Sequence, residues 1–112
     1  MKMYRQGDVL VKQVKRRAQT GQDVREDGRV ILAHGEATGH AHEVVAADPS
    51  PGETVVPPAQ FFEEPDGKRF LFINRPCALT HHEHGLIALP PGCYEVIRQR
   101  EYSPTALRQV AD

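Results

Sequence analysis

Hydrophobic residues along the chain come in short runs cut by glycines, prolines and Asp-Gly pairs. Residues 3–14 read as a strand, with the turn-prone Gly7-Asp8 followed by Val9, Leu10, Val11 and Val14. A polar stretch over 15–28 ends in Asp27-Gly28, a hairpin-turn signal, and the β-rich run RVILA at 29–33 comes directly after it. A further strand is expected over 39–46. The segment 48–58, with four prolines and a glycine, reads as a loop. Phe61-Phe62, then Pro65-Asp66-Gly67-Lys68, then 69–73 spell out a β-hairpin. Short strands are expected over 79–84 and 86–89. Residues 93–100 alternate, with Tyr94 and Val96 on one face and Cys93, Glu95 and Ile97 on the other. Near the end, Ser103 and Pro104 fit the cap and first position of a short C-terminal helix.

Short strands of this kind predict an all-β fold: a small barrel or sandwich of antiparallel strands, one domain over 1–112, with at most that short helix. A parallel βαβ arrangement has no room for its crossover helices. Hydrophobic residues make up 39% and charged residues 26% of the 112, enough for a modest core in a water-soluble chain. The formal net charge of −1 gives no global electrostatic reason to bind nucleic acid or an anionic membrane. The small basic patch of Lys12, Lys15, Arg16 and Arg17 lacks interleaved aromatics and reads as a solvated loop. No apolar run reaches the length of a membrane span, and MKMYRQGDVL lacks a signal-peptide core, so a cytoplasmic location is expected. On that expectation Cys77 and Cys93, which form no CxxC pair, read as reduced thiols used in packing.

The candidate chemistry lies in the histidines. All six fall in two windows, 34–42 and 81–84. In a strand, residues two apart share a face, so His40 and His42 point together, as do His82 and His84, with His81 and Glu83 opposite. Two such pairs on neighbouring strands stand about 5 Å apart. Neutral imidazoles suit a divalent transition metal such as Zn, Fe or Ni, and three or four suffice. Glu36, Glu43 and Glu83 lie close enough in sequence to act as ligand, as hydrogen-bond acceptor to an imidazole, or as general base. Gly35 and Gly39 let the backbone bend around a small site.

The segment with Gly35, His40, His42 and Glu43 resembles the first motif of cupins, which implies a β-barrel with a metal in its mouth. The spacing to Glu43 is shorter than in that motif, and HHEHG precedes Pro91-Gly92 rather than following a Pro-x-Gly. A longer resemblance runs over most of the chain: YRQGDVL, LAHGEATGHAH and LTHHEHGLIALPPGCYEVIRQREYSP are similar to a family of small bacterial and phage proteins. Its first pattern falls on Gly35, Glu36, Thr38, Gly39, His40 and His42, and its second on His81, Glu83 and His84. The resemblance therefore implies His40, His42, His81 and His84 as the metal ligands and leaves out His34 and His82. His81 and His84 are three apart, so a bend beside Gly85 is needed to aim both at one point.

The expected function is a small metal-binding β protein in which Glu36 or Glu83 orients an imidazole or serves as a base. Three histidines plus a water would open hydrolytic or oxygen chemistry, whereas four would make the metal structural. The alternative is a non-enzymatic accessory protein of a phage or mobile element that forms a homo-oligomer through its histidine-rich surface. A third reading uses Arg98 and Arg100 with the histidines to hold a sugar or small acid. For those arginines, the competing explanation is an edge strand protected by charge.

Overall fold

The computed structural model describes residues 1–15, 17–35, 40–47 and 57–99. Ten strands follow in chain order: β1 (Met3–Gln6), β2 (Val9–Val14), β3 (Gln22–Asp23), β4 (Val30–His34), β5 (Ala41–Ala46), β6 (Ala59–Glu63), β7 (Arg69–Ile73), β8 (Cys77–Thr80), β9 (Ile87–Leu89) and β10 (Gly92–Arg98). They form a six-stranded sheet in the order β1-β2-β10-β7-β6-β3 and a four-stranded sheet in the order β4-β5-β8-β9. Every pairing between these strands is antiparallel. The all-β expectation holds, and of its two forms the structure takes the sandwich, since the sheets do not close into a barrel. Among the described residues no helix is long and apolar enough to cross a membrane. Arg16, Glu36, Thr38, Gly39, Arg100, most of the proline-rich segment and the expected helix at Ser103 lie outside the described residues.

Alternation along the strands builds the core. Val9 and Val11 of β2, Phe61 of β6, Leu71 and Ile73 of β7, and Tyr94 and Val96 of β10 point inward from the larger sheet. Val30 and Leu32 of β4, Val44 of β5, Leu79 of β8 and Leu89 of β9 meet them from the smaller one. Fully burying a side chain of this size contributes about 1.5–3 kcal/mol relative to leaving it exposed, so this shared cluster holds the sheets together. The residues between them on the larger sheet form a second cluster on its outer face: Phe70, Phe72 and Cys93, with Val14 and Phe62 packed alongside. The Arg17 guanidinium covers this cluster 3.9 Å above the Phe70 ring. Cys77 and Cys93 are both buried free thiols, one in each cluster, and burial raises the pKa of each.

Two expected strands are corrected. The single strand over 3–14 is a hairpin, because Gly7-Asp8 reverses the chain and pairs Gln6 with Val9. Gly7 has φ +60, and Asp8 is not among the positive-φ residues, as suits a two-residue turn with glycine at its first position. The strand over 79–84 stops at Thr80, and 81–84 form a bend. The Asp27-Gly28 turn is present as expected, with φ of 53° and 80°, and Glu26 and Arg29 exchange backbone hydrogen bonds across it.

Candidate metal centre

The histidines gather at one end of the sandwich. Glu43 of β5 pairs with Thr80 of β8, whose hydroxyl donates to the Glu43 carbonyl at 3.0 Å. One step further in the same register places His42 opposite His81, although β8 has already ended. Their ring centres lie 4.2 Å apart. The bend then carries His84 back toward the same place, 4.7 Å from His81 and 5.9 Å from His42. His40, just ahead of β5, lies 6.1 Å from His81 and stacks on His82 at 4.1 Å. The four histidines singled out by motif resemblance thus share one neighbourhood, and His82, which the motif leaves out, is part of it through His40. His34 is not in these ring contacts: it pairs with Glu26 at 2.8 Å.

The expected facing of His82 with His84 is not what brings the rings together, since neither residue is in a strand. The bend replaces that geometry. His40 is tied to the end of β4, where the Gly35 N–H donates to the His40 carbonyl. A side chain at position 35 would collide with that carbonyl, so glycine is required there.

His42 is the buried member, 5% exposed, and its inward direction on β5 meets Gln6, 2% exposed, from the other sheet. Gln6 Nε2 donates to the carbonyls of Leu79 at 3.0 Å and Gly85 at 2.9 Å. Gln6 thereby ties the β1–β2 hairpin to β8 and to the end of the histidine bend. Its Oε1 lies 2.9 Å from His42 Nδ1. On the other side of the ring, His42 Nε2 lies 3.8 Å from Asp8 Oδ1. Asp8 Oδ2 accepts from Arg98 Nε at 3.3 Å, and Arg98 also donates to the His34 carbonyl at 3.1 Å.

Burial, reinforced by the neighbouring His81, pulls the His42 pKa from its ordinary 6.5 down to about 4, with Asp8 opposing the shift. The His81 pKa is lowered too, first by desolvation and then by His84. Both rings are therefore neutral at pH 7, the form in which imidazole binds metals.

Among the described residues, no three His, Cys, Asp or Glu side chains stand in a metal-ligating arrangement. His81 shows one reason, because its Nδ1 accepts the Glu83 backbone N–H at 3.0 Å. That hydrogen bond occupies one lone pair and leaves the proton of the neutral ring on Nε2. Glu83 is exposed on the bend, and its charge opposes the fall in the His81 pKa. Glu43 faces away from the cluster, in a salt bridge with Arg29 at 2.8 Å.

Gln6, Gly7 and Asp8 carry a strand and turn signal and part of the YRQGDVL motif in the sequence, with nothing that marks them as neighbours of the histidines. A separate cleft of about 700 Å³, lined in part by Gln13, Lys15, Arg17, Phe72, Asn74 and Cys93, contains no histidine. It lies where Val14 pairs with Cys93, at the opposite end of β2 and β10 from Asp8.

A family model described as a domain of unknown function, DUF8820, matches residues 5–99. No curated protein and no solved structure matches the chain.

Proposed function

The chain belongs to the DUF8820 family, and we propose that it is a cytoplasmic metal-binding protein holding one divalent transition metal, zinc, iron or nickel, among His42, His81 and His84, with His40 beside them. The observation that carries this reading is the spacing of three imidazole rings at 4.2, 4.7 and 5.9 Å. An imidazole bound at about 2.1 Å puts its ring centre about 3.2 Å from the metal, so two rings at a tetrahedral angle stand about 5.2 Å apart. The three observed separations bracket that value. His40, paired with His82, supports the site from outside.

Ligation by His81 through Nε2 requires its Nδ1 to exchange the Glu83 N–H for a proton. The hydrogen bond given up is worth about 1 kcal/mol net, small beside the free energy of a structural zinc site at about 10–16 kcal/mol. With three imidazoles on the metal, Glu83 on the rim serves as acceptor for a ligand N–H group or as a base for a bound water. The cupin likeness enters this proposal only as an analogy of ligand type.

The test is metal analysis of untagged protein equilibrated with zinc, iron(II) or nickel and then desalted. One metal per chain is expected, with loss in His42→Ala, His81→Ala and His84→Ala. A content well below one per chain, or full retention in all three variants, overturns the reading.

A second reading has one observation in its favour. Leu86, directly after the histidine bend, is 67% exposed. On this reading the bend is the contact face of a homo-oligomer, as expected of an accessory protein of a phage or mobile element. Light scattering separates the two: a metal-independent oligomer dispersed by Leu86→Glu supports assembly, and a monomer removes it.

A further inference from the structure

We propose that the cleft at the far end of β2 and β10 from the histidines binds a small organic anion, a flat apolar body carrying a carboxylate or a phosphate, with Lys15 and Arg17 facing its charge and Phe72 against its body. The site is independent of the metal reading, since no histidine is among the described residues that line it.

The cleft exists because the larger sheet loses a central strand there. β10 lies between β2 and β7 and begins at Gly92, which pairs with Ile73. Ahead of Gly92 the chain arrives as Pro90-Pro91, and a proline nitrogen has no hydrogen to give to a neighbouring strand. β2 and β7 are kept about 9–10 Å apart by the strand between them. Past their ends the chain continues into Lys15 on one flank and Asn74 on the other, and the space between is open. Its volume of about 700 Å³ falls among those of small-molecule sites, roughly 300–1,000 Å³. Val14, Cys93 and Phe72 are direct cross-strand partners and form one row at the inner end. All three belong to the apolar cluster on the outer face of the sheet, which gives the body of a ligand a surface to cover.

The charge of the lining is one-sided. It includes Lys15 and Arg17 and, among the described residues, no carboxylate, in a chain whose formal net charge is −1. Arg17 is already fixed: its Nη2 donates to Glu64 Oε2 at 2.6 Å and its guanidinium lies over the Phe70 ring. Burial raises the Cys93 pKa and the Arg17 charge opposes the rise, so that charge reaches the inner end of the cleft. Glu64 offsets part of it. Lys15 is exposed and in no ion pair among the described residues, so it is the cation with most to gain from an anion. The amides add donors. Gln13 Oε1 accepts the Lys2 backbone N–H at 3.1 Å, while Gln13 Nε2 faces Gly92, 3.7 Å from where a Cβ there would lie. The apolar row within and the donors at the rim match an amphiphilic anion, whose head group stays partly hydrated while its body leaves water.

The experiment is a ¹H–¹⁵N correlation titration of the full untagged chain at pH 7 with naphthoate and naphthyl phosphate, beside naphthamide, acetate and inorganic phosphate. Saturable shifts at the amides of Lys15, Asn74, Gly92 and Cys93 are expected with a naphthyl anion, and whichever of the two binds more tightly identifies the head group. Naphthamide, acetate and inorganic phosphate, each lacking one half of the ligand, are expected to bind at least about tenfold more weakly. Lys15→Met is expected to weaken the better anion about three- to tenfold, and Lys12→Met, an exposed lysine of β2 outside the cleft, to leave it unchanged. No saturable shift at those four amides with either naphthyl anion overturns the proposal, as do shifts confined to the histidine cluster. Naphthamide or inorganic phosphate binding as tightly as the naphthyl anions, or equal affinities in the two lysine variants, overturns it as well.

Discussion

Gly7 and His84 occupy adjoining space with nothing to spare: a Cβ built on Gly7 would lie 2.9 Å from His84 Nε2. The same Cβ would lie 3.3 Å from His42 Cε1, so the β1–β2 turn is one wall of the histidine cluster. Gly7→Ala meets two obstacles. At φ +60 an alanine costs about 1–2 kcal/mol in backbone strain. The steric part is relieved by movement of His84, whose ring is the end of an exposed side chain. The expected outcome is a loss of about 1–2 kcal/mol in urea denaturation, together with displaced His84 ring resonances. Unchanged His84 shifts in a folded Gly7→Ala protein would show that the turn does not wall the site.

Gln6→Leu keeps the approximate volume and removes three hydrogen bonds at once. The carbonyls of Leu79 and Gly85 and the Nδ1–H of His42 lose their partner. Buried groups left unsatisfied cost about 1–3 kcal/mol each, and Gly85 and the bend recover part of this from water, so a total near 2–4 kcal/mol is expected. A denaturation midpoint within about 0.5 kcal/mol of the wild type, the scatter of an ordinary surface substitution, would mean that the amide is not bonded as described.

The β-rich character was legible because turn chemistry is local: Asp27-Gly28 and Asp66-Gly67 mark reversals by the positive φ that such pairs tolerate. Residues 3–14 misled because both arms of the hairpin have strand-forming composition, and only the two-residue turn separates them. β3, the exposed pair Gln22–Asp23, has no apolar pattern to announce it. The HxH at 40–42 and the run 81–84 do come together in space, but a bend and not a strand face aims His84. Gln6 and Asp8 were invisible as site residues. Gln6 is 36 positions from His42, and nothing in a lone glutamine tells that it will be buried in another sheet's interior.

Metal should act on the fold as well as on the site. A ligand that binds only the native state stabilises it by about 2.7 kcal/mol at one hundred times its dissociation constant. Zn²⁺ at that excess is expected to raise the urea midpoint of the wild type and to leave His42→Ala unmoved. Removal of the metal with a chelator should reverse the gain. An equal gain in His42→Ala would place the bound zinc elsewhere, for example on the exposed His34 and Glu26 pair.

Acid should weaken the fold through His42 in a defined window. Its pKa is depressed from 6.5 to about 4 in the folded protein, chiefly by burial. Above pH 6.5 the ring is neutral both folded and unfolded, and its contribution is fully present. Between 6.5 and 4 the unfolded chain takes up a proton that the native state refuses, so stability falls as the pH falls. Below about 4 both states are protonated and the loss is complete. The shift corresponds to up to about 3 kcal/mol, and His81, also depressed, adds loss of the same sign. Asp8 opposes the shift, so Asp8→Asn should lower the native His42 pKa further and extend the loss to lower pH. Urea denaturation at pH 7.5, 5.5 and 4.0, set beside an NMR titration of the His42 ring, measures both halves of the linkage. His42→Gln should flatten the profile across this window, and a His42 ring that titrates near 6.5 in the folded protein would sink the argument, because burial among its neighbours would then cost the charged form nothing.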